Sequence, residues 1–306
     1  MFSTGCACGL ASASRRPTSC VLERIHLAPT QPARVSPRAP RRHRAIPFTA
    51  AHPAAILPLL RPLGSLAVPG ALVVGTVAPD LAYFLPVPVE REESHSLAGL
   101  FWFCLPVGLL AYVAFYVAVA PLLVELLPWR VQVAVHGWAD GRLPRATLAA
   151  VFVSLLVGAV THIVWDSFTH SDGFVVVVVP ALSEALFTWQ GYTFYVFKLL
   201  QHGSTFMGGI ILAWWGYTKL PQPPVESGAR PPLRRLAALA ALLILGPALL
   251  ALVSGLDHLD QGTGILGRTR SFLSAAIFTG GSVLIPWVVL VGLLARTRQL
   301  VRGRSA

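Results

Sequence analysis

The stretch LAALAALLILGPALLALVSGL, residues 236–256, runs through 21 positions without a charged side chain. About 20 consecutive apolar residues are what an α-helix needs to cross a bilayer, where every backbone N–H and C=O must be paired within the segment. The rest of the chain agrees with this reading. Hydrophobic residues make up 55% of it and charged residues only 12%, about half the charged share of a soluble domain. The sequence therefore describes an integral membrane protein, and an ordinary soluble enzyme is excluded.

Six or seven segments have spanning character. Residues 50–64 are short and broken by Pro53, Pro58 and Pro62, which suits a kinked or re-entrant helix. Residues 66–86 end in VAPDLAYFLP. The 97–127 segment carries Phe101, Trp102 and Phe103 at one end and Trp129 just beyond the other, where interfacial anchors belong. Residues 146–166 and 192–217 follow the same pattern, and 236–256 pairs with 272–295 as a hairpin. Between them, FVVVVVPALSEALF at 174–187 is too short to span and reads as a re-entrant or interfacial piece. The expected fold is all-α, a polytopic membrane protein with about six or seven transmembrane helices.

The net charge of +11 invites a nucleic-acid reading, but its location argues against one. Residues 1–45 hold eight Arg against the single acid Glu23, so +7 of the charge sits in a tail. That tail is rich in Arg, Pro, Ser and Ala and lacks the apolar core of a secretory signal, so it is expected to be a disordered basic extension. Cys6, Cys8 and Cys20 lie in it and Cys104 in an apolar run, which gives no disulfide framework or zinc-finger spacing.

The organisation expected is then a tail over 1–45, a membrane domain over 46–217, a linker over 218–235, and a hairpin with a basic end over 236–306. Lys219, Arg230, Arg234 and Arg235 in the linker and Arg296, Arg298, Arg302 and Arg304 at the end place both on the cytoplasmic side. Counting back puts 128–145 inside, and 87–96 and 167–191 on the outer face. A multi-pass protein of the cell membrane is expected, in a bacterium the inner membrane.

Within THIVWDSFTH, His162, Asp166 and His170 recur every fourth residue. On an α-helix such steps advance only about 40°, so the three side chains form one stripe roughly 12 Å long. Burying three titratable groups costs several kcal/mol unless they are paired or ligating. His52, His95 and His202 and the acid Asp80 fall at the same outer level. Taken singly, each has an ordinary use: His52 at a helix start, Asp80 in a cap or turn, His95 as a loop cap, His202 in an interhelical hydrogen bond. Glu90, Glu92 and Glu93 suit a solvated loop. The case for a shared site rests on convergence. His, Asp and Glu suit zinc, manganese or iron, and a catalytic metal keeps one position for water.

The runs IPFTAAHPAAILPL, VVGTVAPDLAYF, SHSLAGLFWFCLPVGLL, THIVWDSFTH and KLLQHGS resemble a bacterial membrane family known as domain-of-unknown-function family 4184, a resemblance that covers about residues 46–217 and is expected to take in the remaining helices. Members typically begin Met-Pro-Phe-Thr, so the resemblance implies that Ile46-Pro47-Phe48-Thr49 is the ordinary start and that the first 45 residues are an extension. The family is also distantly similar to predicted membrane-bound metal-dependent hydrolases. What this implies is a metal-ligand role for His52, Asp80, His95, His162, Asp166 and His170, and for His202 in addition. The expected function is a metal-dependent hydrolase of an ester or phosphoester, a lipid among the candidates, with zinc foremost as the divalent ion. Asp80 or His202 would assist proton transfer. The alternatives are a transporter or ion-binding protein that uses the same His/Asp cluster, and a purely structural membrane protein. Membrane lipid is the expected partner, and nucleic acid is not.

Overall fold

The helix Leu148–Thr169 organises the protein. Thr147 caps it, its Oγ1 accepting the Ala150 N–H at 3.2 Å. Its buried residues are Ala150, Val151, Ser154, Leu155, Gly158, Ala159, His162, Asp166 and Thr169. These positions recur in steps of three and four, so they form one face. The apolar stripe that packs the core therefore continues directly into His162 and Asp166. The computed structural model describes residues 49–138, 141–189, 192–221, 233–261 and 264–303. The basic tail at 1–45 and most of the 218–235 linker lie outside them.

Against the central helix packs the short helix Pro69–Gly75. The approach depends on two glycines: a Cβ on Gly158 would run into the Leu72 carbonyl, and one on Gly75 into the Leu155 carbonyl. Ser154 fastens the same contact, its hydroxyl accepting the Val68 N–H at 2.9 Å and donating to the Leu66 carbonyl at 2.8 Å. Val68, Ala71, Tyr112, Tyr116, Val151 and Leu155 form one core cluster. Ala78, Ala82, Leu100, Phe103, Cys104 and Ala159 form a second one nearer the site.

The expected spans at 50–64 and 66–86 are not continuous helices. Thr49–Leu59 is a 3-10 helix with Pro53 and Pro58 inside it. A proline lacks the N–H and crowds the carbonyl four residues back, so the regular α ladder cannot form through both. Beyond it the chain breaks into Leu60–Leu63, Gly64–Leu66, Pro69–Gly75 and Ala78–Tyr83. The Leu97–Val124 helix contains π-type turns at Leu100–Cys104 and Phe115–Val119, each two residues ahead of a proline, Pro106 or Pro121.

Among the described residues four helices are long and apolar enough to cross a membrane: Leu97–Val124, Leu148–Val178, Leu236–Gln261 and Gly264–Thr297. The expected six or seven is not confirmed: proline breaks the first two segments into short helices. Lys198, Gln201 and His202 interrupt the apolar run of Val196–Lys219, which is not one of the four. The all-α, polytopic membrane class holds. The last two helices pack on each other and turn Leu245, Leu249 and Ile265 outward, as helices surrounded by lipid do.

The piece expected to be re-entrant at 174–187 is a short helix Phe174–Val178, a 3-10 turn Pro180–Ser183 and the strand Ala185–Trp189. That strand pairs antiparallel with Tyr192–Tyr195, so the following helix starts at Val196 rather than 192. Stacked Phe187 and Phe194 rings, 4.6 Å apart, and Thr188 and Thr193 hydroxyls at 3.0 Å hold the hairpin.

Candidate metal centre

Four separate pieces of chain bring the polar residues together. Asp80 lies in the first turn of the 3-10 helix Ala78–Tyr83. His95 caps the turn Arg91–Ser94, His162 and Asp166 sit one helical turn apart on Leu148–Thr169, and His170 is that helix's C-cap. His52 comes from the 3-10 helix Thr49–Leu59. Asp80, His162 and Asp166 are buried at 2%, 0% and 4% exposure.

The partners of two histidines orient their rings. His162 Nδ1 is 2.7 Å from the Thr76 carbonyl oxygen, which can only accept. Nδ1 therefore carries a proton, and Nε2 faces the other way. His95 Nδ1 is 3.1 Å from the Arg91 carbonyl oxygen and 3.0 Å from the Ser94 hydroxyl, which turns its Nε2 inward as well. The two Nε2 atoms are buried and, among the described residues, have no hydrogen-bond partner.

Both Nε2 atoms point at the same pair of carboxylate oxygens. His162 Nε2 is 3.6 Å from Asp80 Oδ1 and 3.4 Å from Asp166 Oδ2, and His95 Nε2 is 3.5 Å from each of them. All four ligand atoms lie within 4.8 Å of one another, and the group could hold a metal ion. The magnitudes discriminate between explanations. A charged N–H···O⁻ bond closes to about 2.7–2.9 Å, whereas two ligands each about 2.0–2.1 Å from one tetrahedral ion stand about 3.4 Å apart. The observed separations match the second. The charges are compatible as well, since two carboxylates would balance one divalent cation.

His52 and His170 attend the other oxygen of Asp166. His52 Nε2 is 3.2 Å and His170 Nδ1 3.3 Å from Oδ1. The His52 ring stacks on His162, 4.2 Å between centroids at 18°. The six residues expected as one ligand set thus divide into four around a common point and two that grip the far side of Asp166. A cavity of about 10 Å³, room for one water-sized species, adjoins the group and is lined by His52, Asp80, Asp166, His170, Gln201 and Thr205.

His202 is not brought in. Its side chain is exposed, and the residue before it faces the cluster instead: Gln201 Nε2 is 3.1 Å from His170 Nε2. On a helix, neighbouring residues point about 100° apart, so only one of this pair can face inward. Glu93 accepts the Glu90 N–H at 3.1 Å, and both acids, with Glu92, are exposed as a solvated loop should be.

The sequence reading missed Arg91. Its Nη2 is 3.0 Å from Asp166 Oδ2 and its Nε 3.2 Å from the exposed Asp172. The available signal was its place four residues before His95, on the same face of one helical turn. The surrounding Glu90, Glu92 and Glu93 hid it.

No curated protein and no solved structure matches the chain. Residues 46–293 match the family described as a domain of unknown function, DUF4184, which extends through the last hairpin; covering well over half the sequence, the match shows that the chain belongs to this family.

Proposed function

We propose that the protein is a membrane-embedded, metal-dependent hydrolase of an ester or phosphoester, with zinc the favoured ion and manganese or iron also compatible with the His/Asp donor set. The observation that carries this reading is the convergence of two imidazole Nε2 atoms and two carboxylate oxygens at 3.4–3.6 Å in a buried setting. His95, His162, Asp80 and Asp166 would hold the ion, which supplies Lewis-acid polarisation and a water acidic enough to attack near neutral pH.

The chain's own residues do the rest. Thr76 and the Arg91 carbonyl fix the two imidazole orientations, which preserves the ligand geometry. The water-sized cavity beside Asp80, Asp166 and His170 positions the nucleophile. In the reaction the water oxygen bonds to the carbonyl carbon or phosphorus, the ester bond to the leaving oxygen breaks, and the water proton passes through His170 to that oxygen. His170 is placed for this by its contacts with Asp166 on one side and Gln201 on the other. His170 therefore takes the proton role first expected of Asp80 or His202. A membrane lipid fits as substrate because the site is carried by a membrane-spanning helix.

The same groups serve ion transport in other proteins. The gathering of the acidic and imidazole groups about Asp166 supports hydrolysis over a path strung along the bundle. Elemental analysis of protein purified in mild detergent tests the proposal: about one divalent ion per chain is expected. Its removal by a chelator should abolish ester or phosphoester cleavage and its return should restore it. A chain that neither copurifies with nor takes up a divalent ion would sink the reading.

A further inference from the structure

We infer that the mouth of this centre is an anion site, built from Arg91 and Lys198, that selects a phosphate-bearing substrate over a neutral carboxylic ester. The inference deepens the hydrolase reading and rests on it for where the reacting bond would lie.

Two cations approach Asp166 along different chains of contact. Arg91 reaches it directly at 3.0 Å. Lys198 reaches it through a relay in which Nζ donates to Gln201 Oε1 at 2.7 Å, Gln201 meets His170 at 3.1 Å, and His170 meets Asp166 at 3.3 Å. Both cations are near enough to His170 to act on its charge. Neither is buried away from solvent: the Arg91 side chain is 17% exposed and Lys198 half-buried.

Arg91 also has donors to spare. A guanidinium carries five N–H groups in a planar fork. The hydrogen bonds of the described residues commit Nε to Asp172 and one N–H of Nη2 to Asp166, with none from Nη1. Asp172 is 52% exposed on its side chain, so its carboxylate is an exchangeable occupant. A phosphate oxygen can take the same place on the fork.

Charge decides which substrate gains. Asp80, Asp166 and Asp172 contribute three negative charges, and Arg91, Lys198 and a divalent ion contribute four positive ones. The mouth is left with net positive charge, and Arg270 adds to the field at Lys198. A phosphate monoester or diester answers that charge with oxyanions spaced for a bidentate fork. A carboxylic ester is neutral and leaves that excess positive charge unanswered.

The test is calorimetric titration of the metal-loaded full chain in detergent with inorganic phosphate, with acetate as the control anion and metal content read in parallel. Phosphate should bind at least about tenfold more tightly than acetate, and Arg91→Gln should weaken it about tenfold or more, the size of a lost charge-assisted hydrogen bond. Lys198→Gln should weaken it severalfold. If Arg91→Gln fails to accumulate in the membrane, Arg91→Lys and Lys198→Gln carry the test. Equal binding of phosphate and acetate, or unchanged phosphate affinity in the variants that fold, would overturn the inference while leaving the metal result standing. Conversely, phosphate selectivity in a chain that takes up no metal would uphold the anion site and refute the hydrolase reading. Competition with phosphatidate in mixed micelles against water-soluble glycerol phosphate then separates the sources. Displacement by the first alone identifies a lipid headgroup, and displacement by the second a soluble phosphate.

Discussion

Asp166→Asn is the substitution that probes the centre most directly. Asp166 Oδ2 stands 3.4 Å from His162 Nε2 and 3.5 Å from His95 Nε2, so it enters two of the four nitrogen–oxygen separations that define the candidate ligand group. Four-ligand zinc sites gather about 10–16 kcal/mol, so one ligand is worth roughly 3 kcal/mol, or on the order of 100-fold in affinity. The variant should remain folded for a geometric reason. An asparagine amide can turn its N–H₂ toward the two imidazole Nε2 atoms, replacing the attraction of the cation, while its oxygen still accepts from His52 and His170. Arg91 Nη2 loses its acceptor at Oδ2, but the residue is partly exposed and its Nε keeps Asp172 at 3.2 Å. The assay is competition with a chromophoric chelator on protein extracted from the membrane, where Asp166→Asn should release its metal to chelator about 100-fold more readily than the parent. Asp172→Asn, outside the ligand group, should behave as the parent does. If Asp166→Asn holds metal as tightly as the parent, Asp166 is no ligand. The 3.4–3.6 Å separations would then have to be ascribed to protonated imidazoles held by long charged hydrogen bonds.

Three further outcomes are expected. His95→Ala should abolish metal uptake whereas His202→Ala leaves it unchanged, because one ring faces the carboxylates and the other faces outward; elemental analysis of both, side by side, decides it. Gly158→Ala drives a methyl into the Leu72 carbonyl, and overpacking of this kind costs about 1–3 kcal/mol, so its detergent-solubilised thermal midpoint should drop by several degrees; an unchanged midpoint would mean that the helices part without cost. Cysteines placed at Ser96 and Ser171 should react with a membrane-impermeant thiol reagent in intact cells, as the lysines and arginines of 218–235 and the C-terminus imply. Labelling only after permeabilisation would invert the orientation.

How much of this was legible in the sequence differs from residue to residue, and the differences have physical causes. His162 and Asp166 were legible because helical periodicity is a local property. Once 148–169 is a helix, steps of four fix a common face, and that face is the buried one. The same reasoning carried His170 one step too far. It is the C-cap, with φ −121° and ψ 145°, so the chain leaves the helix there. Its imidazole turns to Asp166 Oδ1 instead of extending the stripe. Asp80 and His95 could be named as candidates but not placed, since their convergence depends on how prolines break the chain before Ala78. Hydropathy counts apolar residues without registering whether a continuous ladder of hydrogen bonds can run through them. That is also why 66–86 reads as one continuous span and is a series of short helices, while the prolines of 50–64 gave its break away. The choice between Gln201 and His202 turned on one residue of helical phase, set by the hairpin that delays the helix start to Val196. Arg91 illustrates the remaining gap. In sequence it is one basic residue among acids, and only the fold reveals that its partner is Asp166, 75 positions away. His162 and Asp166 could be read from local pattern, but Arg91 beside them required the tertiary structure. Phosphate binding by the Arg91 and Lys198 variants is therefore the measurement in which the three-dimensional reading goes beyond the one-dimensional one.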